Sequence, residues 1–98
     1  MTETTVRIPA PLRPLTDGVA DVVVEGSDVA SALGALGKRY AGLLERILDE
    51  EGAVRPFVNV FVGSTNLREL DGLRTELREG DVLSILPAIA GGGSRAAG

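Results

Sequence analysis

The sequence predicts an α+β domain of two layers, a mixed sheet with one main helix on one face. Three observations lead there. Two strand-like segments come before a single helical stretch, and two strands with a brief edge strand between them follow it. One helix can cover only one face of one sheet, which is a two-layer arrangement. The apolar segment Val82-Leu83-Ser84-Ile85-Leu86 closes the pattern. It can be buried only if the first and last strands lie side by side at the centre of the sheet.

The elements follow in order. Thr4 to Ile8 reads as a short strand. Pro9, Pro11 and Pro14 interrupt the next stretch, and Asp17-Gly18 is a turn signal. Val19 to Glu25 carries three consecutive valines and completes an N-terminal hairpin. Gly26-Ser27-Asp28 ends that strand and supplies a helix N-cap. Val29, Leu33, Leu36 and Tyr40 fall at i, i+4, i+7 and i+11, one face of a helix. Gly34 and Gly37 weaken that helix by about 1 kcal/mol each relative to alanine, so tertiary packing has to supply the difference. Leu43-Leu44 and Ile47-Leu48 suggest a second, short helical turn, ended by Glu50-Glu51-Gly52. Phe57 to Val62 is the strongest strand signal. Gly63-Ser64-Thr65-Asn66 is a turn, and Asn66-Leu67-Arg68 forms a brief edge strand. Leu70 to Glu79 is irregular, anchored by Leu73 and Leu77, and Glu79-Gly80-Asp81 turns into the last strand. Pro87 stops that strand. The arrangement is the β-grasp. Residues 1–90 make the domain, and residues 91–98 make a flexible tail.

Composition narrows the chemistry. The chain has 98 residues, a net charge of −4, and no cysteine or histidine. A thiolate nucleophile, a disulfide framework, a histidine general base and a zinc site of the usual kind are therefore excluded. No metal site and no catalytic residue is assigned. No basic stripe with interleaved aromatics is present, which argues against nucleic acid. No apolar run spans a bilayer, and the N-terminus shows no secretory signal. A cytoplasmic monomer that binds neither nucleic acid nor membrane, and is not itself an enzyme, is the expectation.

The end of the chain carries the functional signal. Ile85-Leu86-Pro87-Ala88-Ile89-Ala90 runs into Gly91-Gly92-Gly93. Glycine has no Cβ, so a diglycine can thread as an extended peptide into a narrow active site. Residues 87–92 reach roughly 17–20 Å beyond the domain when extended. Alternation divides the strands into two faces. Val58, Val60, Val62, Leu83 and Ile85 are assigned to the helix side with Val6, Ile8, Val29, Leu33 and Leu36. Phe57, Phe61 and Leu86 then lie on the open face beside the tail. Exposed apolar groups rimmed by polar ones mark interfaces.

The proline-interrupted segment, the Gly26-Ser27-Asp28-Val29 helix start, the Glu79-Gly80-Asp81 turn and the Leu86-Pro87-Ala88-Ile89-Ala90-Gly91-Gly92 ending resemble the ubiquitin-like sulfur-carrier family, the MoaD/ThiS group. Ile8-Pro9, Leu12-Arg13-Pro14, Arg55 to Val60 and Ile85 to Gly92 are most similar to the branch that serves thiocarboxylate-dependent cysteine biosynthesis. The resemblance implies that Gly92, preceded by Gly91, is adenylated by an E1-like adenylyltransferase using ATP. A sulfurtransferase or sulfide source then converts it to a thiocarboxylate. The carrier binds no cofactor of its own. In the cysteine branch the sulfur attacks the electrophile that a PLP-dependent synthase makes from an activated serine. A JAMM-type metallopeptidase releases the product. Phe61, Leu86, Phe57, Pro87 and Ile89 are the expected partner interface. Family members that act directly end at the diglycine, whereas Gly93 to Gly98 follow here. That extension is either removed by a peptidase, with Gly92 or Gly93 at the processing site, or a cloning remnant. The resemblance also admits two other roles: a ubiquitin-like protein modifier, and the small subunit of molybdopterin synthase. A β-grasp interaction module with an inert tail is the remaining alternative.

Overall fold

The computed structural model describes residues 2–87. Its strands are β1 (Glu3–Arg7), β2 (Asp21–Glu25), β3 (Val58–Val62), β4 (Thr65–Asn66) and β5 (Val82–Pro87). They form one sheet in the order β2-β1-β5-β3-β4. β1 and β5 lie side by side at the centre, as the burial of both apolar segments requires; they pair parallel, and the other neighbours are antiparallel. The helices are α1 (Val29–Arg39) and the short α2 (Leu43–Ile47). The fold is the β-grasp that the element order predicts.

Local chemistry sets these boundaries. Asp28 is the N-cap of α1, and its Oδ1 accepts the Ser31 backbone N–H at 2.8 Å. Such a cap stabilises a helix by about 1 kcal/mol. Gly26 precedes it because the chain crosses the helix closely. A Cβ there would stand 2.6 Å from the Ala32 backbone nitrogen. Gly37 serves in the same way: Leu44 of α2 packs where its Cβ would be. Gly34 has open space instead and is simply a weak helix former. At the Glu79-Gly80-Asp81 turn, Gly80 takes φ +87°, which other residues rarely adopt.

The core lies between α1 and one face of the sheet. Val6, Ile8, Val58, Val60, Leu83 and Ile85 are buried against Val29, Leu33 and Leu36. Val62 is only half-buried, at the margin of that cluster. Val22 and Val24 of β2 join the core, while Val23 between them points out. Leu43 and Ile47, one turn apart on α2, close the bottom of the cluster.

Two expectations need correction, and one segment gains a structure that the sequence left open. The proline-rich segment is ordered as a 3-10 helix over Ala10–Thr16, which buries Leu12 and Thr16. Pro stands near its start, where a missing N–H costs nothing. β4 is Thr65–Asn66, not Asn66 to Arg68; Leu67 turns inward to start a 3-10 turn and is buried. Pro87 does not stop the sheet, because it pairs with Val58 at the end of β5. Gly63 N–H donates to Val82 O at 2.9 Å, and antiparallel pairs alternate along the ladder. By that alternation Val58 and Pro87 form a pair without mutual hydrogen bonds, so the absent proline N–H is not needed. β1 pairs with β5 only as far as Arg7 opposite Ser84, so nothing on that side needs it either. The expected domain limit after residue 90 and the expected tail, residues 91–98, lie outside the described residues.

Candidate functional site at the end of β5

The open face of the sheet is built from the other half of the alternation. One row across the strands reads Asp21, Arg7, Ser84, Phe61, Asn66. The next row toward the end of β5 holds Leu86 opposite Asn59. Leu86 is 50 % exposed and Phe57 53 %. Phe61 is half-buried and lies outside the core cluster. Phe61 and Leu86 fall on the face that alternation assigned to them, whereas Phe57 precedes β3 in a turn, outside the alternation, and is exposed there. Pro87 ends β5, the strand whose continuation carries the diglycine. Ile89, Gly91, Gly92 and Gly93, the other site residues named from the sequence, lie outside the described residues.

A polar clamp that sequence reasoning missed borders the patch. Arg68 donates from Nη1 to Asn59 Oδ1 at 2.8 Å. Its Nη2 donates to the carbonyls of Arg55 and Val58, both at 3.1 Å. Asn66 Nδ2 donates to the same Asn59 oxygen at 3.2 Å. β4 is two residues long and leaves the start of β3 without a neighbour on the side away from β5. The Arg68 guanidinium takes the place of that neighbour, satisfying the Val58 carbonyl and holding the chain that leads through Phe57. No sequence pattern marks this role. It depends on the 3-10 turn folding Arg68 back along β3.

Among the described residues the site holds hydrogen-bonding and apolar groups. Among the described residues, no three His, Cys, Asp or Glu side chains gather where they could hold a metal ion. A groove of about 490 Å³ adjoins the clamp, lined by Asn66 and Arg68 with Val54, Val60, Leu67 and Leu73, and includes none of Phe57, Phe61 and Leu86. Among the described residues, no helix is long and apolar enough to cross a membrane. What the arrangement can do is present an apolar patch beside the end of a central strand. In the sequence a glycine-rich segment follows that strand.

The comparisons with known proteins bear on that geometry. The ThiS family model matches residues 6–92. The chain is 39 % identical over 90 residues to the sulfur carrier protein CysO of Mycobacterium tuberculosis (strain ATCC 25618 / H37Rv), covering 90 % of this chain and 97 % of that protein. The crystal structure of the Amycolatopsis orientalis BexX/CysO complex contains a chain that superposes with a TM-score of 0.85. It is 39 % identical and covers 91 % of this chain and 99 % of that one. The small archaeal modifier protein 1 of Methanosarcina acetivorans superposes with a TM-score of 0.80 at 31 % identity, covering 94 % and 98 %.

Proposed function

This chain belongs to the ThiS family, and from that premise we propose that it is a sulfur carrier of the CysO type. It acts as a protein co-substrate of other enzymes. The carboxylate of Gly92 attacks the α-phosphorus of ATP on an E1-like enzyme, and pyrophosphate leaves. Sulfide adds to the acyl adenylate carbonyl; where a sulfurtransferase persulfide is the donor, the acyl disulfide it forms is cleaved by a second thiol, which is oxidised to a disulfide. AMP departs, and a C-terminal thiocarboxylate remains. The ionised sulfur is then a soft nucleophile for the electrophile on a PLP-dependent synthase. A JAMM-type metallopeptidase hydrolyses the resulting adduct and returns the carboxylate.

The observation that carries this reading is the course of β5. A central strand, hydrogen-bonded on both sides, ends at Pro87. The sequence then reaches Gly91-Gly92 within five residues, and the family match ends at residue 92. The absence of cysteine fits as well, since the reactive group is made from backbone and no internal thiol competes for the adenylate. Residues 93–98 are removed before activation, because Gly92 otherwise has no free carboxylate. Phe57, Phe61 and Leu86 seat the carrier on the activating enzyme, and Pro87 and Ile89 direct the tail into its site.

The test compares the full-length protein with a form ending at Gly92. Each is incubated with the activating enzyme, ATP and sulfide, and its intact mass is measured. Exchange of one oxygen for sulfur is expected only in the shortened form. Exchange in a chain still ending at Gly98 overturns the processing step. No exchange in either form overturns the carrier reading in favour of an interaction module with an inert tail. The likeness to an archaeal modifier protein favours one second reading, attachment of the same carboxylate to lysines. Stable amide conjugates in cells would identify it.

A further inference from the structure

At the far edge of the sheet β2 has a neighbour on one side only. Ile8 N–H donates to Ala20 O at 2.7 Å, and Gly26 N–H to Thr2 O at 2.9 Å. The even-numbered residues of this strand therefore bond to β1. By antiparallel alternation, Asp21, Val23 and Glu25 turn their N–H and C=O groups outward. The Val23 carbonyl is met by Arg39 Nη1 at 2.8 Å from the last turn of α1. Between β2 and α1 runs a groove of about 520 Å³, lined by Val23, Val24, Ala35, Lys38 and Arg39 with Glu3 and Glu25 at its end.

The side chains beside that edge say what fits it. On the open face they read Asp21, Val23, Glu25: acid, apolar, acid. Val23 is 50 % exposed. Asp21 meets Arg7 only at 3.8 Å, with both side chains more than half exposed. Glu25 lies in register with Glu3, and like charges directly opposite each other destabilise a sheet. A second copy of this chain is a poor occupant. Two β2 strands paired antiparallel about Val23 would set Asp21 against the second copy's Glu25.

We propose that β2 accepts an extended segment of another protein that carries a cation, an aliphatic residue and a second cation at alternate positions. The segment adds antiparallel, with its cations opposite Asp21 and Glu25 and its aliphatic residue opposite Val23. It uses the outward backbone groups and displaces Arg39 from the Val23 carbonyl. Its intervening side chains enter the groove toward Ala35. β1 separates this edge from β5, so a partner docked here leaves the end of β5 free. The inference does not depend on the sulfur-carrier reading, and its test uses no activating enzyme.

The probe is a fluorescein-labelled peptide, Thr-Lys-Thr-Val-Thr-Lys-Thr, titrated against the full chain by anisotropy and by amide NMR. Binding is expected to slow exchange of the Val23 and Glu25 amide hydrogens. Glu25→Lys should weaken it about fivefold. Val23→Pro removes an outward N–H that β1 does not use and should weaken it about tenfold. Arg39→Ala frees the Val23 carbonyl and should tighten it about two- to tenfold. A peptide N-methylated on the amides that face β2 should not bind, a control that leaves the protein unchanged. Equal binding of Thr-Glu-Thr-Val-Thr-Glu-Thr, equal binding of the N-methylated peptide, or no binding of the lysine peptide overturns the proposal. Self-association that Val23→Pro abolishes would also overturn it, because the occupant would then be a second copy.

Discussion

The two faces of the sheet are made from the same strands and do opposite work. On the helix side Leu83 and Ile85 are almost wholly buried; their neighbour Leu86, on the other side, is half exposed. β3 divides in the same way, with Val58 and Val60 inside and Asn59 and Phe61 outside. Burial of a leucine stabilises the fold by about 1.5–3 kcal/mol. A leucine on the open face contributes little to folding and is free for recognition. Stability and the proposed partner binding are thus separated by one residue along a strand, so substitution can address them independently.

The largest test of that separation changes the same side chain on each face. Leu83→Ala should cost about 2–5 kcal/mol, while Leu86→Ala should cost less than about 0.5 kcal/mol. Urea denaturation measures both, and pyrophosphate exchange with the activating enzyme should fall in the Leu86 variant alone once stability is allowed for. Comparable destabilisation by the two changes would erase the distinction between the faces. Gly26→Ala comes next. Its Cβ meets backbone rather than a movable side chain, so a loss of about 1–3 kcal/mol is expected, read as a lower melting temperature. An unchanged melting temperature would show that the start of α1 can shift away from β2.

The helix cap gives a smaller effect with a pH signature. Hydrogen bonds from Ser31, first its side chain and then its backbone N–H, hold the Asp28 carboxyl below the ordinary aspartate value. The charged form is favoured in the folded protein. Its contribution is therefore complete above the unfolded-state value and is lost as pH falls through the lower, folded one. Asp28→Ala should cost about 1 kcal/mol at neutral pH. Asp28→Asn keeps a cap and should flatten the stability profile below about pH 4, measured by urea midpoints across pH. The smallest change is a gain. Gly34→Ala meets open space and should stabilise the fold by about 0.5–1 kcal/mol. A loss in its urea midpoint would mean that the space beside α1 is occupied in solution.

Much of the fold was legible because two periods were clean. The alternation in β3 and β5 put Val58, Val60, Leu83 and Ile85 on the buried side, and the helical spacing did the same for Val29, Leu33 and Leu36. Val62 fell short because it lies last in β3, at the rim of the core. Leu67 was misread as part of an edge strand, since one inward leucine after a turn carries no period. Pro87 was read by its missing N–H alone. Whether that N–H is needed depends on which pair of the ladder the proline joins.

The sequence by itself determined the class of fold, the buried face of the main strands and the diglycine that follows β5. Each is written in near neighbours, as period, cap or motif. Only the tertiary structure decided that Arg68 stands in for a missing strand beside Val58, and that Arg39 covers an outward carbonyl of β2. These contacts join residues 10 and 16 positions apart. Both arginines reach backbone groups, and a backbone group leaves no mark in the sequence to show that it lacks a partner.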